Sequence, residues 1–288
     1  MAKEALYPID PYPKVIINAA ITGMVPTKEE TPHVPLTEDE IVKDAVACWK
    51  AGASIVHLHI RDEKGAPDYK AERYGRIIKR VRKECNIIIC VSTSARTFKE
   101  FDQRAEVLFL KGDEKPEMAS LTLGSFNFPK QASVNSPDII LKLAETMLAN
   151  NIKPELEVFD SGMLNYAKYL GKKLSLPRPL YFNLLLGSLG GIPGRPRDLS
   201  YLVQNLPEDS VWAAAGIGVF QLPVNVTALI KGGGVRIGLE DNIYYDYEKK
   251  MLTTNDRLIQ RIVKISKELR REIATPDETR QILGIKKG

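Results

Sequence analysis

The stretch Ser54-Ile55-Val56-His57-Leu58-His59-Ile60-Arg61-Asp62 holds two of the chain's three histidines, one residue apart. Strand side chains alternate faces, so His57 and His59 point the same way, roughly 6.5–7 Å apart along the strand. Val56, Leu58 and Ile60 make the opposite face wholly apolar. The pattern predicts a buried strand with one polar side that can chelate. Two imidazoles so placed suit Zn²⁺, which needs at least one more protein ligand. Two ordinary strand histidines satisfied by hydrogen bonds would show the same short and common H-x-H spacing.

Outward from this strand, β and α patterns alternate along the chain. Lys14–Ala20 reads as a strand, and Thr37 with Glu40 forms a capping box opening a helix that runs to about Ala51, stopped by Gly52. A basic amphipathic helix over Ala71–Lys83 leads to the apolar strand Ile87–Ser92. Phe98–Phe109 reads as helical, Met118–Leu123 as a strand, Ser136–Asn150 as a helix and Glu155–Phe159 as a strand. Helix 161–171, strand Leu180–Leu186, a short helix Leu199–Asn205, strand Val211–Ala215 and helix Pro223–Lys231 follow. Strand Val235–Leu239 is the eighth, before a long helix Asn255–Ile273 and a short one at Asp277–Leu283. Eight such units with no low-complexity linker predict a (β/α)₈ TIM barrel, with a doubly wound open sheet second. No G-x-G-x-x-G follows the first strand, which counts against a dinucleotide fold. The whole chain, 1–288, is expected to be a single barrel domain with a short N-terminal extension and C-terminal helices.

Strand parity sharpens this expectation. Parallel strands buried on both faces should be almost continuously apolar. Here Arg236, Gly238 and Glu240 alternate with Val235, Ile237 and Leu239; Ser120 and Thr122 with Ala119, Leu121 and Leu123; Glu155 and Glu157 with Leu156 and Val158. Asn18 and Asn183 interrupt the first and sixth strands in the same way. Buried polar groups are costly unless paired or bound, so the ring should enclose a polar pocket. Barrel sites lie at the C-terminal ends of the strands, where His59, Ser92, Glu240 and Asp241 fall. That convergence strengthens the metal reading and makes Glu240 the third ligand.

A hydrophobic fraction of 44% and a charged fraction of 27% fit a chain that buries a large core. The net charge of +5 comes from mixed signs, so no nucleic-acid surface is implied. Cys48, Cys85 and Cys90 are odd in number and sit in apolar or helical contexts, against a disulfide framework. Neither a membrane span nor a signal-peptide core is visible, and a cytoplasmic location is expected. The loop Gly187–Gly194 lacks a Walker signature and reads as a lid, a subunit contact or a cofactor contact. Arg195 and Arg197 could meet phosphates but are more simply solvated, and His33, in a Pro-rich loop, is not expected to bind metal.

Longer motifs add to these readings. NAAITG (Asn18–Gly23), HLHIRD (His57–Asp62), VST (Val91–Thr93), PEMASLTLGSFNF, PELEVFDSGM, AAGIG, GLEDN and the ATPDETRQIL tail run through nearly the whole chain. By these the sequence resembles the β-keto acid cleavage enzymes, the family of the 3-keto-5-aminohexanoate cleavage enzymes. The resemblance implies a TIM barrel with a divalent metal, usually zinc, on His57, His59 and Glu240. It implies a Claisen-type exchange in which a β-keto acid and acetyl-CoA give a new acyl-CoA and acetoacetate, in a homotetramer. A metal-dependent hydrolase or retro-aldolase on the same barrel, and a non-catalytic binding barrel, are the alternatives.

Taking the C2 proton of a β-keto acid needs a base, and Asp241 adjoins Glu240. Arg236, on Glu240's strand parity, takes by resemblance the role of orienting that aspartate. Taken alone, Asp241-Asn242 would read as a turn or capping pair. Ser92 and Ser120 match positions that hold the substrate carboxylate, and Glu157 matches a pocket position. One departure is informative: Val25 stands where members acting on amino-substituted keto acids carry an acidic residue. An ammonium would lose its partner there. The expected substrate therefore has a neutral or apolar side group.

Overall fold

The computed structural model describes residues 12–286. Eight parallel strands close on themselves: β1 (Ile17–Ala20), β2 (Ile55–Leu58), β3 (Ile88–Val91), β4 (Met118–Thr122), β5 (Lys153–Val158), β6 (Leu180–Leu186), β7 (Ser210–Gly216) and β8 (Gly234–Ile237). Each pairs with its neighbours in sequence, and β8 returns to β1. The expected (β/α)₈ barrel forms; the open sheet does not. Helices α1 (Glu38–Ala51), α2 (Ala71–Glu84), α3 (Phe101–Ala105), α4 (Pro137–Ala149), α5 (Ser161–Leu174), α6 (Pro196–Gln204), α7 (Gln221–Ile230), α8 (Asn255–Glu268) and α9 (Pro276–Leu283) accompany them. The Thr37–Glu40 capping box opens α1 as its sequence requires.

Strand parity sorts the side chains into two environments. Outward residues such as Ile17, Val56, Leu58, Ile89, Leu121 and Leu156 belong to the main apolar core with helix residues such as Ile41 and Ile77. Burying each such side chain contributes about 1.5–3 kcal/mol. Inward residues Ile16, Ile55, Ile88, Met118, Tyr181 and Ala213 form a separate small cluster that plugs the barrel's N-terminal end. Two residues further along several strands the inward positions turn polar: Asn18, His57, Glu155 and Asn183 are buried above that floor. Register brings His57 beside Cys90, Ser120 beside Glu155, and Thr122 beside Glu157.

Some element boundaries differ from the sequence expectation. The first strand starts at Ile17, with Val15 instead bridging Ile273. Phe98–Phe109 forms only the short α3 and a 3₁₀ turn, Glu106–Phe109. The long C-terminal helix ends at Glu268 rather than Ile273. Arg270 takes φ 55°, and Arg271 turns inward to donate to the carbonyls of Pro13, Leu229 and Gly233. Those carbonyls outcompete continued helix. Cys48, Cys85 and Cys90 are free and buried, and among the described residues no helix is long and apolar enough to cross a membrane. The expected N-terminal extension lies, through residue 11, outside the described residues.

Candidate active site

A cavity of about 560 Å³ opens at the C-terminal ends of the strands, within the usual range for a small-molecule site. His59, Ser92, Glu157, Arg236, Glu240 and Asp241 line it, with Val25 half-exposed at its edge. His57 lies just beneath. Its Nδ1 is 2.9 Å from Glu155 Oε2, and its Nε2 is 3.3 Å from His59 Nε2. His59 Nε2 is in turn 3.3 Å from Glu240 Oε1. Burial pushes Glu155 up, but the His57 ring, Arg236 and Asn18 outweigh it and hold the carboxylate below its ordinary range. Burial lowers the His57 pKa, but Glu155 and Glu240 outweigh it and raise it, so a cation held at Nε2 would displace a proton there while Nδ1 donates to Glu155.

These atoms fit a cation. Nε2 of His57, Nε2 of His59 and the Glu240 carboxylate converge, and Glu240 Oε2 is buried with no hydrogen-bond partner. Two ligand atoms, each ~2.0–2.1 Å from a tetrahedral Zn²⁺, would lie roughly 3.3–3.4 Å apart, which matches both spacings. Burial lowers His59's basicity, keeping the imidazole neutral as ligation demands. Burial pushes Glu240 up, but Arg236 and the two imidazoles hold it well below the usual carboxylate range. Glu155 is the orienting acceptor that ligating histidines ordinarily have. Strand parity placed Glu155 inside the barrel; only closure shows that it meets His57.

Local backbone explains why Glu240 can reach the histidines. Gly238 sits so close to β1 that a Cβ there would lie 2.0 Å from the Ala20 carbonyl, so β8 ends at Ile237 and the chain bends inward. Gly23 has φ 64°, and a Cβ on it would lie 2.6 Å from Glu240 Cγ. Arg61, on the histidine strand's extension, holds this loop by donating to the carbonyls of Gly23 and Pro26. Asn255 secures the other side, accepting from Leu239 N–H at 2.8 Å and donating to the Ile21 carbonyl.

Arg236 is the electrostatic centre. Its Nε donates to Asp241 Oδ2 at 3.1 Å, its Nη2 to Glu240 Oε1 at 2.6 Å, and its Nη1 to Glu157 Oε1 at 3.4 Å. Burial raises the pKa of Asp241 and of Glu157 against the pull of this guanidinium. Asp241 does close a turn, its N–H donating to the Gly238 carbonyl at 3.2 Å, but its side chain is committed to Arg236, while the Asn242 side chain binds the Tyr244 backbone. Removing Arg236 would leave three buried carboxylates without their cation. Arg236→Ala is expected to cost about 3–5 kcal/mol of folding stability, as one-sided loss of a buried ion pair does. Denaturant melts check this, and a loss below about 1 kcal/mol would show the cluster to be screened like a surface pair.

The predicted serines separate. Ser92 lines the cavity, and its Oγ accepts from Ser94 N–H at 3.2 Å, leaving the hydroxyl proton free. Ser120 Oγ instead accepts from Thr93 N–H at 3.2 Å and does not line the cavity; Thr122, two residues on, does. Thr122 lines the cavity as its strand parity allowed, while Arg96 and Phe128 are cavity residues that pattern reading passed over, because they sit on loops. His33 is exposed, and Arg195 is engaged by Asp198 away from the cavity. Gly187, Ser188 and Leu189 of the Gly-rich loop form part of the cavity wall.

Comparison with known proteins shows the family. The family described as beta-keto acid cleavage enzyme matches residues 14–285. The chain belongs to this family. It is 40% identical over 276 residues to a 3-keto-5-aminohexanoate cleavage enzyme of Acetoanaerobium sticklandii, covering 95% of this chain and 99% of that one. It is 35% identical over 274 residues to a 3-oxoadipate:acetyl-CoA acetyltransferase of Cupriavidus necator, covering 94% of each. Among solved structures, apo ObcA superposes with a TM-score of 0.79 at 20% identity over 88% of this chain and 66% of that one, a likeness of fold.

Proposed function

We propose that this β-keto acid cleavage enzyme family member exchanges acyl groups between a β-keto acid and acetyl-CoA. R–CO–CH₂–COO⁻ and acetyl-CoA would give R–CO–CoA and acetoacetate. The observation that carries the reading is the placement of Asp241, held by Arg236, directly beside the His57–His59–Glu240 set. A divalent ion there, zinc by its His₂-carboxylate donor set, would supply Lewis-acid stabilisation of enolate charge. Asp241 takes the C2 proton, its raised pKa making it the better acceptor, and Arg236 fixes the carboxylate's direction. Ser92 offers its free hydroxyl to the substrate, while Ser120 acts through Thr93. Glu157, anchored by Thr122 at 2.7 Å, closes the far wall. Val25 places no carboxylate in the cavity, so the side group carries no ammonium.

The proposal extends to a single barrel domain working as a cytoplasmic homotetramer. Light scattering of the eluting peak that showed only the 32.2 kDa chain would reject the tetramer. The activity is tested by incubating a panel of β-keto acids with acetyl-CoA and reading acyl-CoA products by mass spectrometry. Product formation that needs acetyl-CoA supports the exchange. Substrate loss without acetyl-CoA would favour a hydrolase or retro-aldolase on the same barrel.

A further inference from the structure

Arg96 is half-buried and stands apart from the buried arginines. Arg61, Arg104, Arg236, Arg271 and Arg280 each donate to named carbonyls or carboxylates. Among the described residues, the Arg96 guanidinium has neither an ion pair nor a hydrogen bond. Its Cζ sits over the Phe128 ring, 3.5 Å from the centroid, and the residue lines the cavity that holds His59 and Glu240. Burial lowers its pKa, while Glu240, Glu157 and Asp241 act on it from across the cavity without touching it. A guanidinium in this position is a donor fork with nothing to grip.

The loop that carries it is built to hold still. Ser92 Oγ accepts from Ser94 N–H, and Ser94 Oγ accepts from Arg96 N–H, both at 3.2 Å. The Thr93 carbonyl accepts from buried Arg104 Nε at 2.8 Å. Ser92's free hydroxyl and Arg96 therefore approach the cavity from one short, braced segment. Elsewhere the cavity is lined by Glu157, Glu240 and Asp241, which share the one cation Arg236, and at its exposed rim by Lys130. An anionic substrate entering such a cavity needs a positive partner on its own side.

We propose that Arg96 is the cavity's carboxylate receptor, gripping the C1 carboxylate common to all β-keto acids together with Ser92. Phe128 supports the guanidinium through a cation–π contact that uses none of its N–H groups, leaving them for a bidentate pair. The inference rests on the β-keto acid reading above. The shared chemistry is an oxyanion, which could also come from a second carboxylate in the side group or from the phosphates of acetyl-CoA.

The test separates these sources. Binding of 3-oxopentanoate, without acetyl-CoA, is measured calorimetrically for wild type, Arg96→Gln and Arg96→Lys. Loss of a charge-assisted bidentate pair should raise Kd roughly 10–100-fold in Arg96→Gln, with partial recovery in Arg96→Lys. Turnover with acetyl-CoA is then followed for 3-oxopentanoate and for the matched diacid 3-oxopentanedioate. Equal losses in kcat/KM on both substrates, carried by KM, with the KM for acetyl-CoA unchanged, support the C1 carboxylate. A loss confined to the diacid, or to the KM for acetyl-CoA, overturns the assignment. So does an unchanged Kd. Wild-type binding that depends on Arg96 without any acyl exchange would reject the activity and keep the receptor. Exchange with Arg96-independent binding would do the reverse, and no wild-type binding at all counts against both. Unaltered melting temperature and metal content in the two variants exclude a merely structural effect.

Discussion

Purified protein should carry about one divalent ion per chain, and replacing His57 and His59 together by alanine should abolish both the ion and the acyl exchange. Two of three ligand atoms are then gone, and Glu240 alone cannot retain a metal against buffer. Single variants add resolution, because His57 also faces a second cluster with Cys90 and Glu155. His57→Ala removes a member of both sets, whereas His59→Ala touches only the set at the cavity. Burial pushes the Cys90 thiol well above its ordinary range, which disfavours the thiolate that a metal at the lower cluster would need. His59→Ala should therefore release the ion. Elemental analysis decides: stoichiometric metal in His59→Ala would place it at the lower cluster, and stoichiometric metal in the double variant would place it elsewhere. Glu155→Gln should weaken binding by roughly 10–100-fold, as loss of an orienting acceptor does.

Asp241→Asn should keep the fold and the metal but lower turnover by at least 10²–10⁴-fold, the usual contribution of a general base. The side-chain volumes match, and an asparagine oxygen can still accept from Arg236 Nε, now 3.1 Å from Asp241 Oδ2. What disappears is the proton acceptor. Exchange of substrate C2 protons into D₂O, followed by NMR without acetyl-CoA and corrected for spontaneous enolisation, isolates that step. Wild type should accelerate the exchange and Asp241→Asn should not. If the variant exchanges as fast as wild type, the base is another group, with Glu157 next in line: it lines the same cavity and burial raises its pKa too. Loss of metal in Asp241→Asn would instead make Asp241 a ligand.

Local physics made much of this legible in the sequence. A strand's two-residue period is imposed by the backbone, so the inward sides of β2, β5 and β8 were readable from His57 and His59, from Glu155 and Glu157, and from Arg236 and Glu240. The count of eight β units followed from the same periodicity. The motif resemblance extended this to the family, and with it to the pairing of His57, His59 and Glu240. Caps were equally local: Thr37 and Glu40 meet because three residues separate them on one helix turn.

Register and closure were decided only in three dimensions. Which inward residue meets which depends on how strands far apart in sequence align, and no local period encodes that stagger. Glu155 and His57 are 98 residues apart in sequence and 2.9 Å apart in space. Ser120 and Thr122 share one face of β4, yet the cavity floor falls between them, so Thr122 reaches the site and Ser120 braces Thr93 instead. Arg96 is one more loop arginine in the sequence. Closure brings the Phe128 ring beneath it and leaves it without an acceptor, and that absence of a partner exists only in the tertiary structure.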